Sequence, residues 1–377
     1  MIYFDNAATT KPFKEALAEF ADVNDVAYGN AAANHHFGVE ALQLLERARE
    51  RVLFTLHLEN SHRCLFCSGA TESINLALKG VALKYGNRGK TIITDAVEHP
   101  AVLQACHQLA DSFGYKLIVL PVRADGTLDP EVLSKAMDDQ TVLVSVMAVN
   151  NEVGSINDIA ALGAVVHQHP KAFFHVDATQ AMGKLPLDYS VADLLSCSGH
   201  KFGAIKGTGF LLYKKTIVFT PLASGGEQEY GFRAGTDNVA GYCCLAKALE
   251  MSYEALSKDE HYVEVLHDRL LAGLMARDDV AINSPVNGTS YIVNFSLLHK
   301  KGSVVMEALS RQEIYVSSVS ACNSKFEKTS AVLIAMGKTP EIAANSIRVS
   351  FSPSNTLQEV ETFLASLDAI LKEVHDR

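Results

Sequence analysis

The sequence predicts an α/β protein with a mainly parallel sheet, followed by a smaller α+β domain. Six short apolar runs look like buried strands, at residues 91–97, 116–122, 141–149, 172–178, 193–199 and 208–214. They are continuously apolar rather than alternating, which is typical of strands covered by helices on both faces. Helical segments separate most of them, as in a doubly wound fold. After about residue 250 the pattern changes to helices and short strands, which indicates a second domain.

Two helices are predicted from the spacing of their apolar residues. Residues 40–56 read "EALQLLERARERVLFTL", and the side chains predicted to share its apolar face are Leu42, Leu45, Val52 and Leu56. The last helix is predicted to begin at Thr356, because Thr356 and Glu359 match a capping box ahead of an apolar stripe.

Composition excludes several functional classes. The chain has 377 residues, 48% of them apolar and 20% charged, as in ordinary soluble domains. The net charge is −10 without a long basic run, so direct nucleic-acid binding is not expected, since phosphate contacts need clustered Lys and Arg. The start, "MIYFDNAATT", lacks a signal core, and the apolar runs are too short to cross a bilayer. We therefore expect a cytoplasmic protein that does not contact a membrane.

The seven cysteines do not form a disulfide framework. Their number is odd and their spacing irregular, which indicates reduced thiols, one of them a candidate for reactivity. Cys64 and Cys67 form a C-x-x-C, but no second Cys or His pair follows at zinc spacing. We interpret this pair as strand packing, the adjacent Cys243 and Cys244 as helix core, and the chain as having no metal site.

Polar residues follow four of the predicted strands. These segments are Glu98-His99-Pro100, Asn150-Asn151-Glu152, Asp177 to Gln180, and Ser198 to Lys201. Singly, each has a structural explanation, such as a helix start at His99 or a cap at Asp177. Ligands of α/β sheets bind beyond the carboxyl ends of the strands, however. Four such segments at consecutive strand ends therefore indicate a binding site.

One further segment and one lysine suggest the ligand. Residues 68–71, "SGAT", lead into a helix whose free N–H groups would hold a phosphate. Neither a Walker loop nor a G-x-G-x-x-G is present, which argues against ATP and NAD. Lys201 stands between a buried strand and a run of glycines. A lysine, a phosphate cradle and a buried carboxylate together predict pyridoxal phosphate, which binds as a Schiff base to lysine.

The motifs carrying these residues resemble a known family. They are "YFDNAATT", "SGATES", "EHPAV", "NNEVG", "HVDATQ", "SGHK", "RAGTDNV", "SSVSAC" and "SIRVSFS", and they cover nearly the whole chain. In this order the sequence resembles the NifS/IscS-like cysteine desulfurases, within the class V, fold-type I pyridoxal-phosphate enzymes. The resemblance implies a large domain at 15–250 with a mainly parallel seven-stranded sheet. It implies a small α+β domain formed by 1–14 and 251–377.

The resemblance also implies roles at the cofactor. Lys201 would form the Schiff base and move the substrate Cα proton. Asp177 would pair with the ring nitrogen, and His99 would stack on the ring and handle protons. The other implied contacts are Gln180 and Asn151 at the ring oxygen, and Ala70, Thr71, Ser198 and His200 at the phosphate. Thr236 would reach the phosphate of a neighbouring subunit, which implies a homodimer.

Two more residues are implied to act on the substrate. Arg348 would clasp the substrate carboxylate with its planar guanidinium, assisted by Asn151. Cys322 lies in the polar stretch "SSVSACNSKFEKTS", which favours an exposed thiol that can act as a nucleophile. The implied reaction converts L-cysteine to L-alanine and leaves a persulfide on Cys322. That sulfur would pass to an acceptor in iron–sulfur cluster assembly, or in tRNA or cofactor thiolation.

The sequence also departs from the family pattern. The family usually has Gly-Asn-Pro-Ser-Ser where this sequence reads "GNAAA", with Ala31, Ala32 and Ala33 as the differing residues, and Tyr230 stands where arginine is common. Val319 stands where a glycine is usual, and a β-branched residue does not tolerate positive φ. Two alternatives therefore stay open: a selenocysteine lyase or other class V enzyme such as a transaminase, and a cofactor-binding scaffold with little catalysis.

Overall fold

The computed structural model describes residues 1–258, 261–318 and 329–374, so Val319 and Cys322 lie outside the described residues. The strands are β1 (Ile2–Tyr3), β2 (His62–Cys67), β3 (Thr91–Asp95), β4 (Lys116–Leu120), β5 (Thr141–Met147), β6 (Phe173–Asp177), β7 (Leu194–Ser198), β8 (Gly209–Lys214), β9 (Val280–Ile282), β10 (Ile292–Leu297), β11 (Ile314–Tyr315) and β12 (Ser346–Ser350). The helices are α1 (Lys14–Val26), α2 (His36–Thr55), α3 (Ala70–Tyr85), α4 (Pro100–Phe113), α5 (Pro130–Ala136), α6 (Ile159–Val166), α7 (Val239–Lys258), α8 (Tyr262–Met275), α9 (Gly302–Arg311), α10 (Ala331–Ala335), α11 (Pro340–Ala344) and α12 (Leu357–Glu373).

The large sheet has seven strands in the order β2-β8-β7-β6-β5-β3-β4. Strands β3 to β7 pair in parallel, whereas β8 runs antiparallel to both β7 and β2. Because β2 is antiparallel to β8, it points the same way as β7. The carboxyl ends of β2, β3, β5, β6 and β7 therefore meet at one edge. The mainly parallel sheet is confirmed, and each of the six apolar runs contains one of its strands.

Helices bury both faces of this sheet. The neighbouring residues Leu211 and Leu212 of β8 belong to two different hydrophobic clusters, one on each face. Leu194 and Leu195 of β7 divide in the same way. Since side chains of a strand alternate between faces, a strand covered on both sides must be apolar at every position. This burial explains why the runs of the strands other than β4 are continuously apolar. The prediction of a buried strand was wrong for β4, which lies at the edge of the sheet with Val119 42% exposed.

Both helices predicted from the sequence, α2 and α12, are present, but one residue predicted for the buried face of α2 is exposed. Leu45, Val52 and Leu56 are buried as predicted, but Leu42 is 42% exposed. The buried stripe of α2 includes the charged Arg49 in its place, because Arg49 is paired inside the protein. The predicted capping box at the start of α12 is confirmed.

A third hydrophobic cluster lies around a smaller antiparallel sheet, β12-β10-β9. It is packed by α8, α9 and α12 and includes Phe4 of the N-terminal segment. The segment is held there by β1, which pairs with β11, and by the Ser350 N–H, which donates to the Phe4 carbonyl. Helix α7 is continuous across residue 250. The division at 15–250 stays a prediction.

The described cysteines are buried and unpaired, including Cys64 and Cys67 in β2 and Cys243 and Cys244 in α7. The predicted packing role of both pairs is confirmed. Burial raises the pKa of the Cys64 thiol well above its ordinary value, so this thiol stays protonated. Throughout the described ranges, every helix is too short or too polar to span a bilayer.

Candidate active site

A pocket of about 640 Å³ lies at the carboxyl edge of the large sheet. Ten of the twelve residues predicted for the site line it: Ala70, Thr71, His99, Asn151, Asp177, Gln180, Ser198, His200, Lys201 and Arg348. Thr236 is exposed and is not part of this lining, and Cys322 lies outside the described residues. The strand-end residues therefore converge, as their positions in the sequence predict.

The first turn of α3 forms one wall of the pocket, and it is suited to an anion. Gly69 is the N-cap of α3 and offers no side chain to satisfy the N–H groups that follow. The backbone at Gly69 also packs tightly, because a Cβ on Gly209 would lie 2.6 Å from the Gly69 Cα. This turn is therefore pressed against β8, and residues 68–72 line the pocket.

Lys201 follows β7 in a single helical turn at residues 199–201. Its Nζ donates to the Ala7 carbonyl at 2.7 Å and to the Ala8 carbonyl at 2.8 Å. Burial and the nearby Arg348 lower the pKa of Lys201 to about 8, although Asp5 and Asp177 act against this shift. A sizeable neutral fraction of the amine is thus present at neutral pH, and only a neutral amine is nucleophilic.

Asp177 and His99 approach the pocket from neighbouring strands. Asp177 ends β6 and is 5% exposed, with Oδ1 accepting hydrogen bonds from both the N–H and the hydroxyl of Thr179. Its second oxygen is left for a ligand. His99 caps α4 by accepting a hydrogen bond from the Ala101 N–H at Nδ1. Burial and Lys201 lower the pKa of His99, so the ring is neutral at physiological pH.

His200 is held from the other side of the pocket. Its Nδ1 lies 3.1 Å from the Thr9 hydroxyl, which leaves Nε2 for a ligand. Burial, together with Lys201, Lys206 and Lys184, lowers the pKa of His200 to about 4. His200 can therefore offer a hydrogen bond to a phosphate but no positive charge.

Arg348 enters the pocket from the middle of β12. Its Nη1 donates to the Asn151 main-chain carbonyl and its Nη2 to Asp5, both at 2.7 Å. The Nε is buried without a partner, although it is a strong donor. Asp5 was not predicted as a site residue, and only its place within "YFDNAATT" could have singled it out.

Comparison with known proteins identifies the family. The aminotransferase class-V family model matches residues 2–363. The chain belongs to the aminotransferase class-V family. A relative from Dictyoglomus turgidum, named cysteine desulfurase IscS, is 37% identical, with 99% of this chain and 95% of the relative covered.

Solved structures of similar proteins align with nearly the whole chain. A NifS-like protein aligns with a TM-score of 0.92 at 37% identity, covering 99% of this chain and all of the other. The structure described as SspA in complex with cysteine aligns with a TM-score of 0.80 at 30% identity, covering 94% of this chain and all of the other.

The cofactor of this class V chain is pyridoxal phosphate, and the pocket fits it. The free N–H groups at the start of α3 suit the phosphate, and Lys201 offers an amine of lowered pKa. The unused oxygen of Asp177 suits a protonated ring nitrogen, which the carboxylate keeps protonated so that the ring can accept electrons.

Two buried acids lie near this class V site: Glu98, which the sequence placed in a strand-end segment without a role, and Asp95, which the sequence did not single out. Glu98 accepts a hydrogen bond from the Met147 N–H, and Asp95 accepts one from the Val97 N–H. The second carboxyl oxygen of each has no partner. Burial raises the pKa of Asp95 to about 7 and raises that of Glu98 well above its ordinary value. A protonated Glu98 adds no negative charge beside Asp177.

Thr236 belongs to a segment that is tied to the phosphate cradle. Arg233, three residues earlier, pairs with Glu72 at 3.0 Å, and Glu72 accepts the Ser68 N–H at 2.6 Å. Ser68 begins the cradle, so a shift in this segment would be transmitted to the cradle.

Proposed function

We propose that this protein is a pyridoxal-phosphate-dependent cysteine desulfurase that converts L-cysteine to L-alanine and keeps the sulfur as a persulfide on Cys322. The observation that carries the proposal is the pocket that brings Lys201 and its strand-end neighbours together with Arg348. The desulfurase name of the Dictyoglomus turgidum relative and the cysteine bound to SspA support the substrate.

The cofactor, when bound, supplies an electron sink for negative charge that develops at the substrate Cα. Lys201 and Asp177 bind it, together with the start of α3. Lys201 then removes the Cα proton, a task for which an amine of pKa about 8 is suited. His99, neutral because of its lowered pKa, accepts or returns a proton beside the ring.

Arg348 orients the substrate. Its guanidinium is held by Asn151 and Asp5, and Arg348 lines the pocket where the substrate carboxylate would bind. A fixed planar donor of this kind positions a carboxylate through two parallel hydrogen bonds. The bond geometry at Cα and the direction of the substrate sulfur follow from this anchor.

Cys322 performs the sulfur transfer. Its thiolate attacks the substrate sulfur, so that an S–S bond forms as the substrate Cβ–S bond breaks. The electron pair of the broken bond stays with Cβ, which takes up a proton and becomes the methyl group of alanine. Cysteine plus enzyme thiol thus gives alanine plus enzyme persulfide, and no external oxidant is consumed. A reductant or an acceptor thiol then releases the sulfur.

The test is alanine formation from L-cysteine with a reductant present, in wild-type protein, C322A and the matched control C244A. Cys244 is buried in α7, so its loss should leave the reaction intact. We expect alanine from wild type and C244A and almost none from C322A. Intact-mass analysis before reduction should show one added sulfur in wild type and C244A, but not in C322A.

Alanine from all three proteins would remove Cys322 from the mechanism. No alanine from any of them, in protein that carries the cofactor, would favour the scaffold alternative. A much higher rate with selenocysteine, retained in C322A, would favour a selenocysteine lyase.

We further propose a cytoplasmic homodimer that passes sulfur to an acceptor protein, such as an iron–sulfur scaffold or a thiolation enzyme. The exposure of Thr236, and the tie of its segment to the cradle through Arg233, support a contact with the neighbouring subunit's phosphate. Light scattering gives the oligomeric state. T236A should then weaken cofactor retention in a dimer.

A further inference from the structure

Lys184 is a buried lysine to which the mechanism gives no task. It is 6% exposed, and lysines are rarely buried to this extent without a partner. Its Nζ donates to Oε1 of Gln180 at 2.9 Å. Burial, and after it the charge of Lys201, lower the pKa of Lys184 to about 7. Because burying a lysine costs free energy, we expect its position to serve the adjacent pocket.

The contact decides which way the Gln180 amide points. A lysine ammonium has three donors and no acceptor, so the charged form of Lys184 requires the amide oxygen to face it. The amide nitrogen then lies on the other side, where it donates to the Ala7 carbonyl at 2.8 Å. A reversed amide would set its oxygen against the Ala7 oxygen. The nitrogen has a second hydrogen, and Gln180 lines the pocket.

The position of that nitrogen matches the chemistry of the cofactor. Lys201 Nζ donates to the same Ala7 carbonyl, so the amide nitrogen and the amine lie on either side of one oxygen. On pyridoxal phosphate the carbon that lysine attacks is attached to the ring atom next to the one carrying the ring oxygen. A cofactor bound at Lys201 therefore brings its negatively charged ring oxygen close to the Gln180 amide.

We propose that Lys184 is a positioning residue, which holds the Gln180 oxygen so that the amide N–H faces the ring oxygen of the cofactor. Lys184 acts through Gln180 and does not touch the cofactor. The proposal needs only that the cofactor binds at Lys201, so it stands or falls separately from cysteine being the substrate.

Lys184 has room for a conservative replacement. It also lines a separate cavity of about 360 Å³, bounded by Phe13, Phe202 and Leu256. The larger guanidinium of arginine, which likewise has donors only, can use this space. K184R should therefore keep the amide oriented, whereas K184M removes the donor and leaves the amide oxygen unsatisfied.

The test measures cofactor binding rather than turnover. Apo forms of wild type, K184M, K184R, Q180A and K184M/Q180A are titrated with pyridoxal phosphate. The visible absorbance band of the lysine-bound cofactor is then recorded as a function of pH. Its midpoint gives the pKa of the nitrogen that joins Lys201 to the cofactor, called the band pKa below. An N–H donor stabilises the negative ring oxygen, and so lowers the pKa of the nitrogen that joins Lys201 to the cofactor. Thermal unfolding of each apo form reports structural damage.

We expect K184M to weaken cofactor binding by about 3- to 10-fold, the usual effect of losing one hydrogen bond. We also expect K184M to raise the band pKa, and K184R to have the cofactor affinity and band pKa of wild type. In the Q180A background, K184M should change either quantity little further, because Lys184 acts through Gln180.

Two outcomes would overturn the proposal. A lower unfolding temperature with unchanged binding and band pKa means that Lys184 is only structural. An equal effect of K184M with and without Gln180 means that Lys184 acts through its own charge. If K184M does not fold, K184A serves the same comparison, because alanine also removes the donor and places no bulky side chain in the site.

Discussion

The carboxyl edge of the large sheet and the surroundings of Arg348 line one pocket. The two regions differ in how far apart in the chain the residues that hold them are. The cofactor half, formed by His99, Asp177, Lys201 and the cradle at 68–71, follows directly from strand ends. His99 and Asp177 are held by nearby backbone and local side chains, and only the Lys201 amine reaches a distant segment, at the Ala7 and Ala8 carbonyls. The substrate half, formed by Arg348 and Asp5, joins residues 343 positions apart. The cofactor half is thus set largely by local structure, and the substrate half by how distant segments assemble.

Removing the buried ion pair that supports the cofactor half should have the largest effect, on the free energy of unfolding. Arg49 pairs with Glu229 through two hydrogen bonds of 2.6 and 2.7 Å. The pair also binds β2 just before the cradle, through the Cys64 carbonyl and the Phe66 N–H. R49M leaves the Glu229 carboxylate buried and unpaired, so we expect the free energy of unfolding to fall by about 3–5 kcal/mol. Urea unfolding of the apo protein measures it.

The control for this prediction is R269M. Arg269 and Glu361 form a pair of similar geometry that is exposed to solvent. Because exposed pairs contribute little, R269M should leave stability nearly unchanged. Equal losses in R49M and R269M would contradict the role assigned to burial.

Breaking the substrate half should leave the cofactor in place. R348K removes the planar fork but keeps the charge, so we expect the KM for L-cysteine to rise by about 10- to 100-fold. The dissociation constant for pyridoxal phosphate should stay unchanged, because Arg348 contacts Asp5 and Asn151 rather than the cradle. Loss of the cofactor in R348K would show that the two halves are not separable.

The pH dependence of cofactor attachment tests the surroundings assigned to the Lys201 amine in the cofactor half. Its pKa is lowered to about 8, whereas an exposed lysine titrates at about 10.4. The neutral amine increases as the pH rises through the pKa, so the rate of cofactor attachment to apo protein should rise and level off above about pH 8. Stopped-flow absorbance measures this rate, with K201A as the blank. Since Arg348 contributes to the shift, R348Q should move the midpoint upward. A midpoint near the ordinary value would contradict the assigned environment.

Replacing Asp5 should give the smallest effect. D5N keeps a hydrogen-bond acceptor for Arg348 but removes a carboxylate that repels the substrate carboxylate. We therefore expect the KM for L-cysteine to fall by about 2- to 5-fold, in the range of one screened charge interaction. A rise in KM would mean instead that the Asp5 charge is needed to hold Arg348.

Much of the cofactor half could be predicted from the sequence. Parallel strands covered on both faces must be apolar throughout, so the polar residues after β3, β5, β6 and β7 stand out. His99 shows that a structural and a functional interpretation can both hold, since it caps α4 and also lines the pocket.

Other features could not be predicted in this way. Periodicity placed Leu42 in the core, but α2 turns Arg49 inward because a partner 180 positions away neutralises it. Nothing in the sequence around Lys184 indicates that its side chain is buried against Gln180. The residues around Cys322 lie outside the described residues, so its role rests on the sequence and on the proposed chemistry.

The sequence by itself determined the sheet, the strand-end residues and the lysine for the cofactor, because each depends on periodicity and on chemistry within a few neighbouring residues. Only the tertiary structure decided that Asp5 holds Arg348, that Arg49 and Glu229 support β2, and that Lys184 faces Gln180. These contacts join residues far apart in the chain or depend on burial. The pKa and the energy of a charged group are set by surroundings that exist only once the chain has folded.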